Sequence, residues 1–126
     1  MFRTDYSASG GKEIFLSFED TNREKIYSLL RLRIPSKDVS IMKVLKDSAI
    51  IREVHTYGKQ LEIDHKEKSA QHKGLGKQLI AAAEKIAKKE FKLNQMAVIS
   101  GVGVRGYYKK LGYKLKDTYM VKKISN

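Results

Sequence analysis

Gln71, His72, Lys73, Gly74, Leu75 and Gly76 stand between a β-prone run and a basic helical run. Glycines in that position let backbone amides approach an anion closely. The unpaired amides and the dipole of a helix start favour phosphate. The segment lacks the Gly-Lys-Ser/Thr ending of a Walker A loop and the full GxGxxG pattern, so it points to neither nucleotide motif. A plain loop with a helix cap remains open for it. Within the loop, His72 suits local packing or a phosphate contact better than general-base work. Upstream, Glu53 and His55 fall on one face of an extended chain and could together orient or deprotonate a water or an amine. The competing reading is a strand Glu paired to Arg52 or a Lys, with His55 hydrogen-bonded in a sheet. Three His and no Cys give neither spacing nor ligand type for a metal site, so no metal is expected.

The elements that would hold these residues can be read from periodicity. Residues Met1 to Gly11 are polar and end in a Gly pair, which reads as an irregular lead-in. Glu13 to Asp20 alternates, with Ile14, Leu16 and Phe18 on one face and Phe15, Ser17 and Glu19 on the other, as a strand does. Thr21 to Lys25 makes a turn, and Ile26 to Ile34 is a second strand, stopped by Pro35 and paired antiparallel to the first. Ser36 to Ser48 is a loop or irregular connection. Ala49 to Tyr57 is strongly β-prone, is broken by Gly58 and resumes at Leu61 and Ile63. Strict alternation there puts Ile51, Glu53, His55 and Tyr57 on one face, and Ile50, Arg52, Val54 and Thr56 on the other.

After a polar link from Asp64 to Ala70, a helix begins near Gly76. Its stripe is Leu75, Leu79, Ala82, Ala83, Ile86 and Ala87. Met96 to Ser100 is a short strand, and Gly101 and Gly103 bracket a turn. The segment VRGYYKKLG, from Val104, reads as a short helix ending at Gly112. The tail from Tyr113 to Ile124 forms a hairpin around Asp117 and Thr118. No repeat or low-complexity tract is present.

At 126 residues the chain fits one domain, expected to span 1–126. With 41% hydrophobic and 32% charged residues it can close one modest core. Zero Cys excludes disulfides, Cys-bound zinc, iron–sulfur clusters and a cysteine nucleophile within this chain. It also fits a reducing, cytoplasmic setting. No apolar run reaches the roughly 20 residues of a membrane span, so no membrane partner is expected. A net charge of +12 calls for an anionic partner.

The Gln-x-x-Gly-x-Gly loop opening a long helix, followed about 30 residues later by Tyr-x-x-x-Gly-Tyr, resembles the GNAT acetyltransferase superfamily. The words EIFLSFED, LLRLR, IREVHTYG, QHKGLG, VISGVGVRGYYKKLGYKL and YMVKKI narrow the resemblance to the C-terminal acetyltransferase-like domain of the Elongator catalytic subunit. That implies an α/β fold with a mostly antiparallel central sheet, splayed near Ile51–Tyr57 and Met96–Ser100 and flanked by helices. It implies acetyl-CoA as cofactor, with the amides around Lys73 to Lys77 on its pyrophosphate. Cofactor contacts then comprise Gln71, His72, Lys73, Gly74, Leu75, Gly76, Lys77, Val54, Arg105 and Tyr108. Tyr108 would sit near the thioester sulfur as proton donor. Its neighbour Tyr107 is as readily a core ring, because adjacent helical residues point about 100° apart.

The resemblance also implies a role in modifying the wobble uridine of tRNA, with acetyl-CoA supplying a two-carbon unit and other Elongator domains or subunits as partners. The S-adenosylmethionine and iron–sulfur cluster of that chemistry belong to a Cys-bearing companion domain absent from this chain. An excised domain or a stand-alone relative would account for this, and the irregular opening favours the former. Lys73, Lys77, Arg105, Lys109 and Lys110 suit the CoA phosphates. The surplus at Lys85, Lys88, Lys89, Lys92, Lys114, Lys116, Lys122 and Lys123 suits a tRNA backbone, or else a solvated Lys-rich surface. Two other functions fit these residues: a stand-alone N-acetyltransferase for protein lysines or small amines, and a non-catalytic tRNA-binding module.

Overall fold

Alternating apolar residues build most of the molecule. The computed structural model describes residues 1–36, 45–57 and 74–124. Seven strands form one sheet in the order β1-β2-β3-β4-β5-β7-β6. These are β1 (Phe2–Ala8), β2 (Gly11–Glu19), β3 (Ile26–Ile34), β4 (Ser48–Thr56), β5 (Gln95–Ile99), β6 (Lys114–Lys116) and β7 (Tyr119–Lys123). Helix α1 is Leu75–Lys89. A 3-10 turn at Val102–Val104 leads into the short helix α2, Arg105–Lys110. Neighbouring strands are antiparallel except β4 and β5. Leu61, Ile63, the link Asp64 to Ala70 and the loop residues Gln71, His72 and Lys73 lie outside the described residues, as do positions 37–44 of the expected connection.

Two expectations from patterning need correction. The opening is a strand and not an irregular lead-in: Phe2–Ala8 pairs along its length with Gly11–Ser17. Ser9 and Gly10, with φ of 50° and 78°, form the two-residue turn whose twist suits a hairpin. This edge strand leaves its side chains mostly exposed, so no apolar alternation marked it. The second correction concerns β4, where Arg31 pairs with Glu53 but Leu32 pairs with Ile51. Arg52 is therefore an extra residue in a β-bulge. The bulge resets the alternation, so that Ile51 and Val54 both join the core.

The core gathers Ile14, Leu16, Leu30, Leu32 and Ile51 from the sheet with Leu79, Ile80, Ala83 and Ala87 from α1. Burying Leu79 or Ile80 contributes about 1.5–3 kcal/mol each. Two polar ties fix the helix. Arg3 forks onto Glu90, just past the end of α1, at 2.6 and 2.8 Å. Glu84 accepts hydrogen bonds from the Tyr113 hydroxyl at 2.6 Å and the Lys122 ammonium at 3.2 Å. β4 and β5 pair only over Ser48–Ile51 and Gln95–Val98. Past the bulge they separate, and β4 runs on to Thr56 without β5 beside it.

Candidate active site

The helix start stands against this splay. Gly74 caps α1 with φ of 90°, a conformation that disfavours any side chain, and as a glycine it offers the first-turn amides no side-chain cap. That turn holds no acidic residue. Two residues on, Gly76 is buried. A β-carbon there would lie 3.3 Å from Thr56 Oγ1, 3.4 Å from the Tyr107 hydroxyl and 3.8 Å from Val54 Cγ1. The start of α1, the far half of β4 and helix α2 thus converge on one point. Lys77 is exposed beside it.

Hydrogen counting defines what Thr56 offers. The buried Ser28 hydroxyl donates its one hydrogen to the His55 carbonyl at 3.0 Å. The Ser28–Thr56 contact, also 3.0 Å, must then use the Thr56 hydrogen. Thr56 consequently presents only lone pairs toward Gly76 and Tyr107.

Glu53 and His55 are exposed on the opposite face of β4. There Glu53 lies 3.7 Å from Arg31, and His55 meets the Tyr57 ring edge-on at 4.9 Å. The same face carries Glu13, whose side chain is 5% exposed and lies 3.1 Å from Arg52, 3.5 Å from Arg33 and 4.0 Å from Arg31. Glu13 so clamps the bulged Arg52 from two strands away.

The tyrosines divide differently from expectation. Tyr108, in the expected functional position, is 7% exposed and belongs to the core. It packs edge-on against Tyr107 and Tyr113 at 5.3 and 5.7 Å. Burial, reinforced by Tyr107, pushes the Tyr108 phenol up to about 12. Tyr107 is 38% exposed, and burial raises its phenol as well. Both therefore stay protonated at neutral pH and can act as proton donors. Two further polar atoms flank the turn after β5: Ser100 Oγ and Arg105 Nε are buried and find no partner among the described residues.

Of the sequence candidates, the structure brings Val54, Gly74, Leu75, Gly76, Tyr107 and the core ring Tyr108 to one end of the splay. It puts Glu53 and His55 across the sheet. Ser28, Thr56, Ser100, Glu13, Arg31 and Arg33 were not singled out. Ser28 interrupts an apolar strand, which was its available signal. Lys85, Lys89, Lys92, Lys114, Lys116 and Lys123 are exposed, whereas Lys122 is tied to Glu84 and drops from the free surplus. Lys114, Lys116, Lys122 and Lys123 instead line a concavity on the β6–β7 hairpin. Among the described residues no cluster of three or more His, Asp or Glu could hold a metal ion. No described helix is long and apolar enough to cross a membrane.

A seven-stranded splayed sheet, with a glycine-started helix laid on it, defines an acyltransferase architecture. The model of the acetyltransferase (GNAT) domain matches residues 53–124, and the chain belongs to that family. Over 123 residues it is 50% identical to a tRNA uridine(34) acetyltransferase of Dehalococcoides mccartyi, covering 95% of this chain and 27% of that protein. It is 42% identical to Elongator complex protein 3 of Homo sapiens, covering 97% of this chain and 22% of that one. Among solved structures it superposes on the archaeal Methanocaldococcus infernus Elp3 with a TM-score of 0.84 and 42% identity, covering 97% of this chain and 29% of the other. The chain thus spans about a quarter of the length of the curated relatives it matches.

Proposed function

We propose that this chain is the acetyl-CoA-binding domain of a cytoplasmic tRNA uridine(34) acetyltransferase of the Elongator type. In this reading residues 1–126 are one domain, and S-adenosylmethionine and an iron–sulfur cluster belong to a companion domain. The observation that carries the proposal is the convergence of the α1 start, Val54, Thr56 and Tyr107 on Gly76 at the mouth of the splay. The available residues fit the cofactor. First-turn amides that Gly74 leaves without a side-chain cap, in a turn with no acidic residue, suit phosphate oxygens. Lys77, and Lys73 outside the described residues, add positive charge. A strand end without its β5 neighbour leaves room for an amide-bearing arm.

Acetyl-CoA bound there would supply an activated two-carbon unit. The Tyr107 hydroxyl, set against the helix start, binds and orients. Tyr108 remains protonated and donates a hydrogen bond, and then a proton, to a leaving thiolate once within reach of it. In this reading Glu53 and His55, on the opposite face of the same splayed strand, orient an incoming water or acceptor, with Arg31 3.7 Å from Glu53. The exposed lysines favour a tRNA backbone.

Calorimetric titration of acetyl-CoA into the chain, followed by thiol release with and without tRNA, tests the proposal. Binding, together with thiol release that depends on tRNA and on the companion domain, is expected. A folded chain that does not bind acetyl-CoA would refute it.

A further inference from the structure

Resting on that reading, we infer that Glu84 and Tyr113 are positioning residues for thioester cleavage: their contact ties the end of α2 to α1 and so sets where Tyr108 stands. Helix α2 spans only Arg105–Lys110, too short to hold a place of its own. Tertiary contact must fix it, and past its C-terminal end the contacts run in an unbroken series. The Tyr108 carbonyl accepts the amides of Leu111 and Tyr113, each at 3.0 Å. Gly112, with φ of 97°, makes the turn between them. The Tyr113 ring, 2% exposed, meets the Tyr108 ring edge-on at 5.7 Å. Beyond the ring, the Tyr113 hydroxyl donates to Glu84 at 2.6 Å, in the middle of α1. Lys122 closes the far side, 3.2 and 3.3 Å from the two Glu84 oxygens and 5.6 Å from the centre of the Tyr113 ring.

The polar nature of this contact makes it a tether. A phenylalanine at 113 would bury the same ring, so packing alone calls for neither a hydroxyl there nor a carboxylate at 84, whose side chain is 18% exposed. Taking both groups out of water is offset only while they meet at hydrogen-bond length and angle. The pair therefore fixes a distance and a direction that apolar contact leaves loose. Burial raises the Tyr113 phenol, which keeps its hydrogen for Glu84. The segment from Arg105 to Tyr113 thus meets α1 at two places about 12 Å apart along the helix: Glu84, through Tyr113, and Gly76, where the Tyr107 hydroxyl stands. Two such points fix orientation as well as position, and a displacement of about 1 Å at a reacting group lowers turnover by as much as about a hundredfold.

The test measures thioester cleavage and acetyl-CoA binding in the complete enzyme, well below the melting temperature of every variant, so that lost stability alone leaves turnover unchanged. Tyr113→Phe and Glu84→Ala should lower kcat about tenfold, with the dissociation constant for acetyl-CoA within about twofold of wild type. Glu84→Gln keeps an acceptor oxygen for the Tyr113 hydroxyl and should recover most of the Glu84→Ala loss. In a Tyr108→Phe background, Tyr113→Phe should cost no more than about twofold, because the group it positions is already gone.

Wild-type kcat in folded Tyr113→Phe protein would overturn the inference. So would an undiminished loss in the Tyr108→Phe background, or a Glu84→Gln enzyme as slow as Glu84→Ala. A loss carried by the dissociation constant with kcat unchanged would overturn it too, and would assign the tether to binding through Tyr107. If the wild-type protein neither binds nor cleaves acetyl-CoA, the functional proposal falls together with this inference. If the wild type does both and the variants match it, the inference alone fails.

Discussion

Replacing Gly76 with Ala separates the fold from the proposed ligand site. Because Gly76 is helical, the methyl group would gain about 1 kcal/mol of helix propensity. It would also stand 3.3 Å from Thr56 Oγ1 and 3.4 Å from the Tyr107 hydroxyl, and both contacts are tight. Thr56 cannot yield easily, since its hydrogen bond to buried Ser28 holds it. Tyr107 is partly exposed and can move, so the added strain is about 1–3 kcal/mol. The net destabilisation is then about 0–2 kcal/mol, a fall of roughly 8 °C at most for a chain this size.

Binding should suffer more. Moving Tyr107 or tilting the first turn by a few tenths of an ångström misdirects charge-assisted hydrogen bonds worth about 1.5–3 kcal/mol each, so a loss of tenfold or more is expected. Gly74→Ala is the contrasting variant. Its β-carbon meets nothing within 4 Å among the described residues, but φ of 90° makes the conformation unfavourable by about 1–2 kcal/mol. Thermal melts and titration of acetyl-CoA read both quantities. Gly76→Ala protein that binds acetyl-CoA with wild-type affinity would refute the assignment of this point to the ligand. A melting temperature lowered by 15 °C would refute the packing estimate.

Other variants probe the remaining residues. Tyr107→Phe should raise the dissociation constant for acetyl-CoA, while Tyr108→Phe should leave binding near wild type and lower thioester cleavage by about 10²–10⁴-fold in the complete enzyme; the opposite split would exchange their roles. Because burial raises the Tyr108 phenol to about 12, folded-state stability from this group is fully present below its ordinary value near 10 and is lost as pH rises through about 12. Melts between pH 9 and 12 should show that alkaline loss diminished in Tyr108→Phe. Glu13→Gln removes a buried charge facing three partly exposed arginines, so it should destabilise by about 1–2 kcal/mol, read by urea unfolding, with no measurable loss counting against a clamping role. Tyr113→Phe removes the hydroxyl bonded to Glu84 but leaves Lys122 there, so unfolding should show a loss of about 1–2 kcal/mol.

Much of this architecture is legible in the sequence because most strands bury one face and their apolar residues alternate. β2 and β3 show this, as does the stripe of the helix. β1 escaped because an edge strand with exposed side chains is fixed by backbone bonding to β2, which leaves no mark on side-chain pattern. The bulge escaped because one inserted residue is invisible until β3 and β4 are paired. It moved Val54 to the core side and left Glu53 across the sheet. In the site, glycine spacing marked the helix start, and the family words marked the tyrosine pair. Which tyrosine faces the helix start depends on how α2 docks beside Tyr113, a tertiary fact. Ser28, Thr56 and Ser100 carry small hydroxyls whose meaning lies in hydrogen counts and burial, and neither is written in local sequence.

The most direct test of acetyl-CoA binding in the β4/β5 splay is calorimetric titration of the folded chain with acetyl-CoA, with the Gly76→Ala variant measured alongside. One-to-one binding by the wild type, weakened tenfold or more in the variant, is the expected result. No heat of binding to a demonstrably folded wild-type chain, or equal affinity in the two proteins, would contradict it.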